Sequence, residues 1–554
     1  MKFIYWLLIF IFGIVLVTVS IILALVFTGS DDVEIEISLI HINDFHARFE
    51  ETNNQSLPCL EGQVCIGGYS RMATIVKQLN RNRDYPIFLN AADNFQGSVW
   101  YSLFRYNVTA HFLNLLPADA ITLGNHEFAH NVEGLVPLLR QLTSPVVAAN
   151  IDDSDEPQIQ NLYRKSVVIV RRRRRIGIIG AIYRRTAEIA MTGRLKFTDE
   201  VQAIREEAQR LKNQGINIII ALTHCGLSED TRIADEVGDL VDIVVGGHSH
   251  SFLFSPQGSQ FPGFDTITSG PYPIVINPRN DRNRQVLVVQ AFAFARYVGD
   301  LRVIFDINGN IKSFRGNPIF LGPNVAKDPE IEAELIPWRE QVNEISHRVI
   351  GSTIVDLMHL GCWSGECALG SFTADGIVAE TQLAHPELNI RSGFLQVGGM
   401  RSSFPVGPIT YGDIMTFFPF ANTFDILELN GTTLMAIFEH SVARSWSETE
   451  FIPADMLQIS GIQVTFNAAM PSGSRVVSLR MKNENNQFEN IILDQFYEVV
   501  VPSFLANGGD GYAMIPENKR NWRTGLFDVD VMESHIRRMS PINYAVDGRI
   551  VMLN

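Results

Sequence analysis

Short runs of β-branched and apolar residues alternate with amphipathic stretches over most of the chain. Strand-like segments at 35–44 (IEISLIHIND), 85–93 (YPIFLNAAD) and 119–127 (DAITLGNHE) accompany a helical pattern at 67–82 (GGYSRMATIVKQLNRN). The arrangement returns at 216–226 (INIIIALTHCG) and 241–250 (VDIVVGGHSH), where apolar runs stop abruptly in histidine-bearing loops. This is α/β patterning, with polar, glycine-bearing turns at the carboxyl ends of strands, where such folds bind ligands. A largely charged stretch within 326–347 predicts a linker helix with a kink at Pro337. Beyond it, helix patterns (431–445, GTTLMAIFEHSVARS) mix with strands (425–430, DILELN; 461–467, GIQVTFN; 496–504, FYEVVVPSF). The expected organisation is an N-terminal segment 1–32, a first globular unit 33–325, the linker helix 326–347 and a second unit 348–554.

The N-terminal segment is a different kind of pattern. From Phe3 to Phe27 nothing is charged, and this length is enough to cross a ~30 Å hydrocarbon core as one helix. A secretory leader has an apolar core of only about 7–15 residues, so a transmembrane signal anchor is expected, with a cleaved leader and secretion as the alternative. Lys2 precedes the span, and Asp31, Asp32, Glu34 and Glu36 follow it. Sequons at Asn54, Asn107 and Asn430, and the close cysteine pairs Cys59/Cys65 and Cys362/Cys367, suit short-loop disulfides and glycosylation outside the cell. The expected location is the cell membrane, single-pass, with the globular units outside. Cys225 is left over and reads as a buried thiol. A net charge of −15 excludes general nucleic-acid binding, which rests on phosphate neutralisation. The run Arg171 to Arg175 reads as a solvated hairpin tip.

Chemistry concentrates at the strand ends. In order they carry Asp44 and His46, Asp93, Gly124-Asn125-His126-Glu127, His224, and His248 and His250. A lone histidine at a strand end is ordinarily a hydrogen-bonded structural residue. Five such groups at successive strand ends point to a metal centre, because imidazole and carboxylate are donors suited to Zn, Mn or Fe. The D-x-H and H-x-H spacings also put two donors on one side of an extended chain.

With these motifs, the chain from about Val33 to its end resembles the metallophosphatase-type 5′-nucleotidases, ecto-5′-nucleotidase and apyrases among them. The resemblance implies a four-layer αββα metallophosphatase domain, a linker helix and an α+β nucleotide-specificity domain. It also implies two divalent ions, zinc by expectation, hydrolysis of nucleoside 5′-monophosphates such as AMP, and a homodimer. Carried over, Asp44, His46, Asp93 and His250 would ligate one ion, and Asp93, Asn125, His224 and His248 the other, with Asp93 bridging. His126 would be the catalytic imidazole. In the second unit, Gly398-Gly399-Met400-Arg401, Phe418-Pro419-Phe420 and the segment from Pro502 to Gly511 resemble the family's specificity motifs. Phe420 and Phe504 would sandwich the base, Asp510 would accept ribose hydroxyls, Arg401 would contact phosphate or ribose, and Gln396 stands where the family has asparagine. The chain departs from the pattern twice more. The aspartate that orients the catalytic histidine is Ala129 here, with His130 or a water as stand-in, and an arginine expected after Cys362 is Trp363. The readings that follow are a monophosphate hydrolase, an apyrase-like hydrolase of di- and triphosphates, and a nucleotide-binding chain whose catalysis is impaired by Ala129.

Overall fold

Eleven strands of the first half, joined by the short twelfth strand Ile319–Phe320, build two six-stranded sheets among the described residues, and their burial explains their composition. They are β1 (Ile35–Ile42), β2 (Pro86–Asn90), β3 (Ala120–Ile121), β4 (Ser166–Arg171), β5 (Arg174–Ile182), β6 (Ile218–His224), β7 (Ile243–Val245), β8 (Ile274–Ile276), β9 (Val286–Val289), β10 (Tyr297–Phe305) and β11 (Ile311–Gly316). The first sheet has the order β11-β10-β1-β2-β3, with the short Ile319–Phe320 strand also pairing β10. The second has the order β8-β9-β7-β6-β5-β4. The β1–β2–β3 and β9–β7–β6–β5 pairings are parallel, so these strands end at the same edge of their sheet. Strand β6 is buried at every position, which is why its sequence is an unbroken apolar run rather than an alternation. Edge strand β4 does alternate, with Val168 and Val170 turned outward.

This computed structural model describes residues 34–553 except 55, 57–58, 60–61, 257–260, 262, 264–267, 419, 421, 445–452 and 454. The expected anchor over 1–32 lies outside the described residues, among which no helix is long and apolar enough to cross a membrane.

The two sheets face each other across a core that includes Ile37, Leu39, Leu89, Ile178, Ile220 and Val245. Helices α1 (Tyr69–Asn82), α2 (Tyr106–Leu115) and α3 (Asn131–Gln141) cover the outside of the first sheet through Met72, Val76, Phe112 and Leu135. Helices α4 (Glu200–Asn213) and α5 (Leu227–Val237) cover the second through Ile204, Leu211 and Ile233. The layers are therefore αββα. Helix α6 (Pro329–Ser346) then leads into the second half. It starts on an Asp328 cap that accepts the N–H groups of Glu330 and Ile331, with proline at its first position, and it runs on across Pro337.

The second half is α+β. A five-stranded sheet orders β14-β12-β15-β13-β16, from β12 (Gly393–Gln396), β13 (Thr423–Asn430), β14 (Leu457–Ser460), β15 (Phe496–Pro502) and β16 (Arg520–Phe527). Helices α7 (Ala368–Ala384) and α8 (Asp528–Met539) contribute Phe372, Ile377, Met532 and Ile536 to its core. Val99 and Leu103 pack against the cores of both halves, and Arg105 pairs with Asp530 at 3.1 Å.

Several sequence expectations meet the structure here. Disulfides join Cys59 to Cys65 and Cys362 to Cys367, and Cys225 is a buried free thiol that burial pushes well above its ordinary pKa. The arginine run is a hairpin tip between β4 and β5, with Arg172 and Arg173 at φ 45° and 65°. Sequons Asn54 and Asn107 are exposed, whereas the Asn430 side chain caps a helix by accepting the Thr433 N–H at 2.8 Å.

His535 carries a pH consequence. It is buried against Phe372, and desolvation lowers its pKa from 6.5 to about 4. The unfolded chain therefore takes up this proton first as the pH falls. The stabilisation is complete above pH 6.5 and is lost progressively toward pH 4, by up to about 3 kcal/mol. Urea midpoints measured between pH 7 and pH 4 should fall over that window, and His535→Phe should flatten the fall.

Candidate active site

The carboxyl ends of strands from both sheets converge on one rim. Asp44 and His46 follow β1, Asp93 follows β2, Asn125 and His126 follow β3, His224 ends β6, and His248 and His250 follow β7. Asp44, His46, Asp93, His248 and His250 all have positive φ, between 49° and 77°. Left-handed backbone at a residue other than glycine costs of order 1 kcal/mol or more, and such residues cluster where function imposes geometry. Two glycines admit the close approach of these loops. A Cβ on Gly124 would stand 2.1 Å from Asp93 Oδ1, and one on Gly247 would meet His224 Nδ1 at 2.9 Å.

The donor atoms face one another across a small space. His250 Nε2 lies 3.3 Å from Asp44 Oδ1 and 3.0 Å from His46 Nε2. Asp93 Oδ2 lies 3.0 Å from His224 Nε2, 3.8 Å from His46 Nε2 and 3.9 Å from His126 Nε2. His248 Nδ1 is 2.9 Å from Asn125 Oδ1. Three overlapping sets, Asp44/His46/His250, His46/Asp93/His126 and Asp93/His224/His248, each bring one donor per residue within 4.8 Å of the others.

The surroundings fix which atoms point inward. His224 Nδ1 donates to the Ala91 carbonyl at 2.7 Å, so Nε2 is the ring nitrogen turned toward Asp93, a fully buried atom with no well-formed hydrogen bond. The Asp44 carboxylate accepts the His248 N–H and the Asn43 side chain. Buried Glu127 ties two loops together by accepting the N–H groups of Asp93, Asn94 and Gly124. Burial and the Asp93 charge push its carboxyl up to about 7.

Charge explains why this rim suits cations. Burial opposes ionisation of Asp93, but neighbouring imidazoles, His224 first, outweigh it and hold its carboxyl well below the ordinary range. Burial equally opposes a proton on His224, yet Asp93 and Asp44 raise it. His46 and His248 are held unprotonated, first by burial and then by neighbouring imidazoles. Two buried carboxylates ringed by imidazole nitrogens are a donor set that fits divalent metal ions, which would take over from the His224 proton in balancing the carboxylate charge.

His126 has a partner that sequence reading did not find. Its Nδ1 donates to Gln96 Oε1 at 2.6 Å, which leaves Nε2 facing Asp93. Gln96 is buried at φ 61° in the loop after Asp93. The proposed stand-in His130 is not there: its Nε2 contacts Arg105, and its ring stacks on Tyr101 at 5.7 Å. The position of Ala129 is therefore covered by a neutral amide from another loop. The string D-N-F-Q-G places a glutamine in the loop after Asp93, but nothing in it points to His126 as the partner.

In the second half, a further set of predicted residues gathers around Gly398. The ring of Trp363 and the carboxylate of Asp510 lie 3.7 and 4.0 Å from where a Gly398 Cβ would stand. The Arg401 guanidinium donates to the Gly398 carbonyl and lies 5.5 Å from the centre of the Phe420 ring. Phe504 is 42% exposed and lies over Gly509, whose absent side chain makes room for the ring. Asp510 takes a left-handed φ of 53°, and its main-chain carbonyl accepts from His440 Nε2. Gln396 is buried beside Gly399, and its Oε1 has no hydrogen-bond partner.

Comparison with known proteins agrees with this layout. Residues 37–252 match the calcineurin-like phosphoesterase family and residues 349–517 match the 5′-nucleotidase C-terminal domain. An apyrase of Tabanus yao is 41% identical over 93% of this chain and 94% of its own length. The 5′-nucleotidase of Homo sapiens is 36% identical over 93% of this chain and 90% of its own. Among solved structures, a 5′-nucleotidase precursor from Thermus thermophilus superposes with a TM-score of 0.61 at 31% identity, covering 94% of this chain and all of that one. The NAD nucleotidase of Haemophilus influenzae shares the fold, with a TM-score of 0.76 at 23% identity over 94% of this chain and 99% of that one. The chain therefore belongs to the 5′-nucleotidase family, as a metal-dependent phosphoester hydrolase with a calcineurin-like phosphoesterase domain followed by a 5′-nucleotidase C-terminal domain.

Proposed function

We propose that the protein is a membrane-anchored, outward-facing 5′-nucleotidase that hydrolyses nucleoside 5′-monophosphates such as AMP to nucleoside and phosphate. The observation that carries this reading is the His126 imidazole, held by Gln96 with its Nε2 toward the donor cluster although the family's aspartate is absent. In this reading Asp44, His46, Asp93 and His250 hold one ion, Asp93, Asn125, His224 and His248 hold the other, and imidazole-carboxylate donors favour zinc. Such a pair of ions supplies Lewis acidity toward phosphoryl oxygens and a nucleophile from water at neutral pH. A proton on His126 Nε2 would meet the charge developing on a phosphoryl oxygen, and Gln96 accepts from Nδ1 and keeps the ring aimed.

Phe420 and Phe504 stack on the base, Asp510 accepts the ribose hydroxyls, and Arg401 meets phosphate or ribose oxygens, with Gln396 behind the Gly399 turn. Trp363 in place of an arginine removes one cation from the substrate's surroundings, which favours the less charged monophosphate over a triphosphate. The exterior location is supported by the apolar Phe3–Phe27 segment, the two disulfides and the exposed sequons. A homodimer follows from family resemblance, and sedimentation of the purified chain tests it.

A second reading, apyrase-like hydrolysis of di- and triphosphates, is favoured by the 41% identity to an apyrase against 36% to the human 5′-nucleotidase. Phosphate release from AMP, ADP and ATP with added Zn separates the two. The first predicts the highest kcat/KM for AMP with nucleoside as product; consumption of ADP and ATP with AMP accumulating selects the second. Phe420→Ala and Phe504→Ala should each weaken substrate binding by about 1–3 kcal/mol, seen as a raised KM with kcat largely kept.

A further inference from the structure

We infer that the end of the αββα sandwich remote from the donor cluster seats on the phospholipid bilayer that holds the chain's own N-terminal segment. The inference rests on the anchor reading above. Three parts meet at that end: the start of β1, the β4–β5 hairpin tip and the turn between β10 and β11. Arg172 donates to the Glu34 carbonyl at 3.2 Å, and Lys312 pairs with the Glu34 carboxylate. Arg174 donates to the Asp306 carbonyl at 3.2 Å, and Asn217 Nδ2 donates to the Ile307 carbonyl at 3.4 Å. Asp44 and His46 lie past the opposite end of β1, whose eight residues span about 26 Å at ~3.3 Å each.

Connectivity selects the face. Six residues, 28–33, separate Phe27 from Glu34, and covalent geometry limits the distance they can bridge to about 25 Å. The face also has a composition suited to a bilayer interface. Val170 is 57% and Ile307 45% exposed, and Val168 is turned to the same side of its strand as Val170. Arg172, Arg173 and Arg175 are exposed and, among the described residues, pair with no carboxylate, although the whole chain carries a net charge of −15. Four acids near that end are already engaged, Glu34 with Lys312, Glu36 with Arg315, Asp119 with Arg171, and Asp306 with the N–H groups of Asn308 and Asn310, while Asp84 is exposed. Aliphatic side chains flanked by guanidiniums whose charge no carboxylate pairs match the interfacial zone, where apolar groups enter the acyl boundary and cations meet phosphate. A hairpin tip with exposed arginines alone would be an ordinary solvated turn. Exposed valines and an isoleucine at the end that the tether holds against the membrane set this one apart. Seated in this way, the strand carboxyl ends point away from the lipid and the catalytic rim opens to the medium.

The test uses the full chain in nanodiscs of four parts phosphatidylcholine to one part phosphatidylserine, with headgroup spin-labelled lipid as quencher. A fluorophore on Asn308→Cys reports the seated face, and one on Glu484→Cys serves as control. The native cysteines do not compete, because four are paired and Cys225 is buried. The expected result is quenching of the Asn308→Cys label by more than half and little quenching of the control. Added Val170→Glu, Arg172→Glu and Arg173→Glu should bring the first label down to the control level, with AMP hydrolysis unchanged and the chain still retained in the discs after an alkaline wash. Equally weak quenching of both labels in a retained chain overturns the seating and leaves the anchor standing. Release of the chain by the wash overturns the anchor reading and the seating with it.

Discussion

Asp93→Asn is expected to leave the chain folded but to empty the metal centre and lower kcat by at least about 10³-fold. Asn keeps an oxygen for the His126 N–H that Asp93 Oδ1 accepts at 3.0 Å, so the loop geometry survives. The negative charge does not. Asp93 faces the Nε2 atoms of His46, His126 and His224, and it is the carboxylate common to both proposed ligand sets. Two bound cations would repel each other, and without a charged carboxylate shared by the two donor sets neither would be held firmly. Metal content by elemental analysis and phosphate release measured on the same preparation check this. An unchanged melting temperature of the metal-free protein would show that the loss is local.

His126→Ala should lower kcat by about 10²- to 10⁴-fold while leaving metal content and KM near their starting values. Gln96→Ala should cost about 10- to 100-fold through the same imidazole. The two changes should not add, because Gln96 acts only by orienting His126, so Gln96→Ala on the His126→Ala background should have almost no further effect. Gln96→Glu keeps the hydrogen bond and adds a negative charge that favours the protonated imidazole. Its activity should be retained, with the limb of the pH–rate profile that belongs to His126 moved to higher pH. A merely structural Gln96 would change the melting temperature and leave that limb in place.

The proposed metal-site residues were legible because the signal is local. A β-branched run that ends in D-x-H, GNHE or GHSH announces a strand end with donors on it, and parallel strands bring such ends to one rim. The αββα layering was legible through family resemblance, and the unbroken apolar run of β6 is its physical signature, since that strand is covered on both faces. Gln96 was not legible for the opposite reason. It meets His126 across loops that follow different strands, thirty positions apart in the chain, and a glutamine beside a glycine reads as an ordinary turn. His130 was the nearer candidate in sequence, but it stands at the cap of α3, where its ring is taken up by Arg105 and Tyr101. The left-handed backbone at Asp44, His46 and Asp93 had no sequence signature at all, because it is imposed by packing of the loops against one another. The helix expected around Pro337 forms over Pro329–Ser346 and includes that proline.

The most direct test of the central claim is phosphate release from AMP by the purified full chain with added Zn, read beside its metal content and AMP binding. The account predicts turnover, about two ions per chain, and loss of turnover in His126→Ala with the metal retained. Two bound ions and firm AMP binding without phosphate release would contradict it. Recovery of activity in Ala129→Asp would then show that the Gln96 amide does not replace the missing carboxylate.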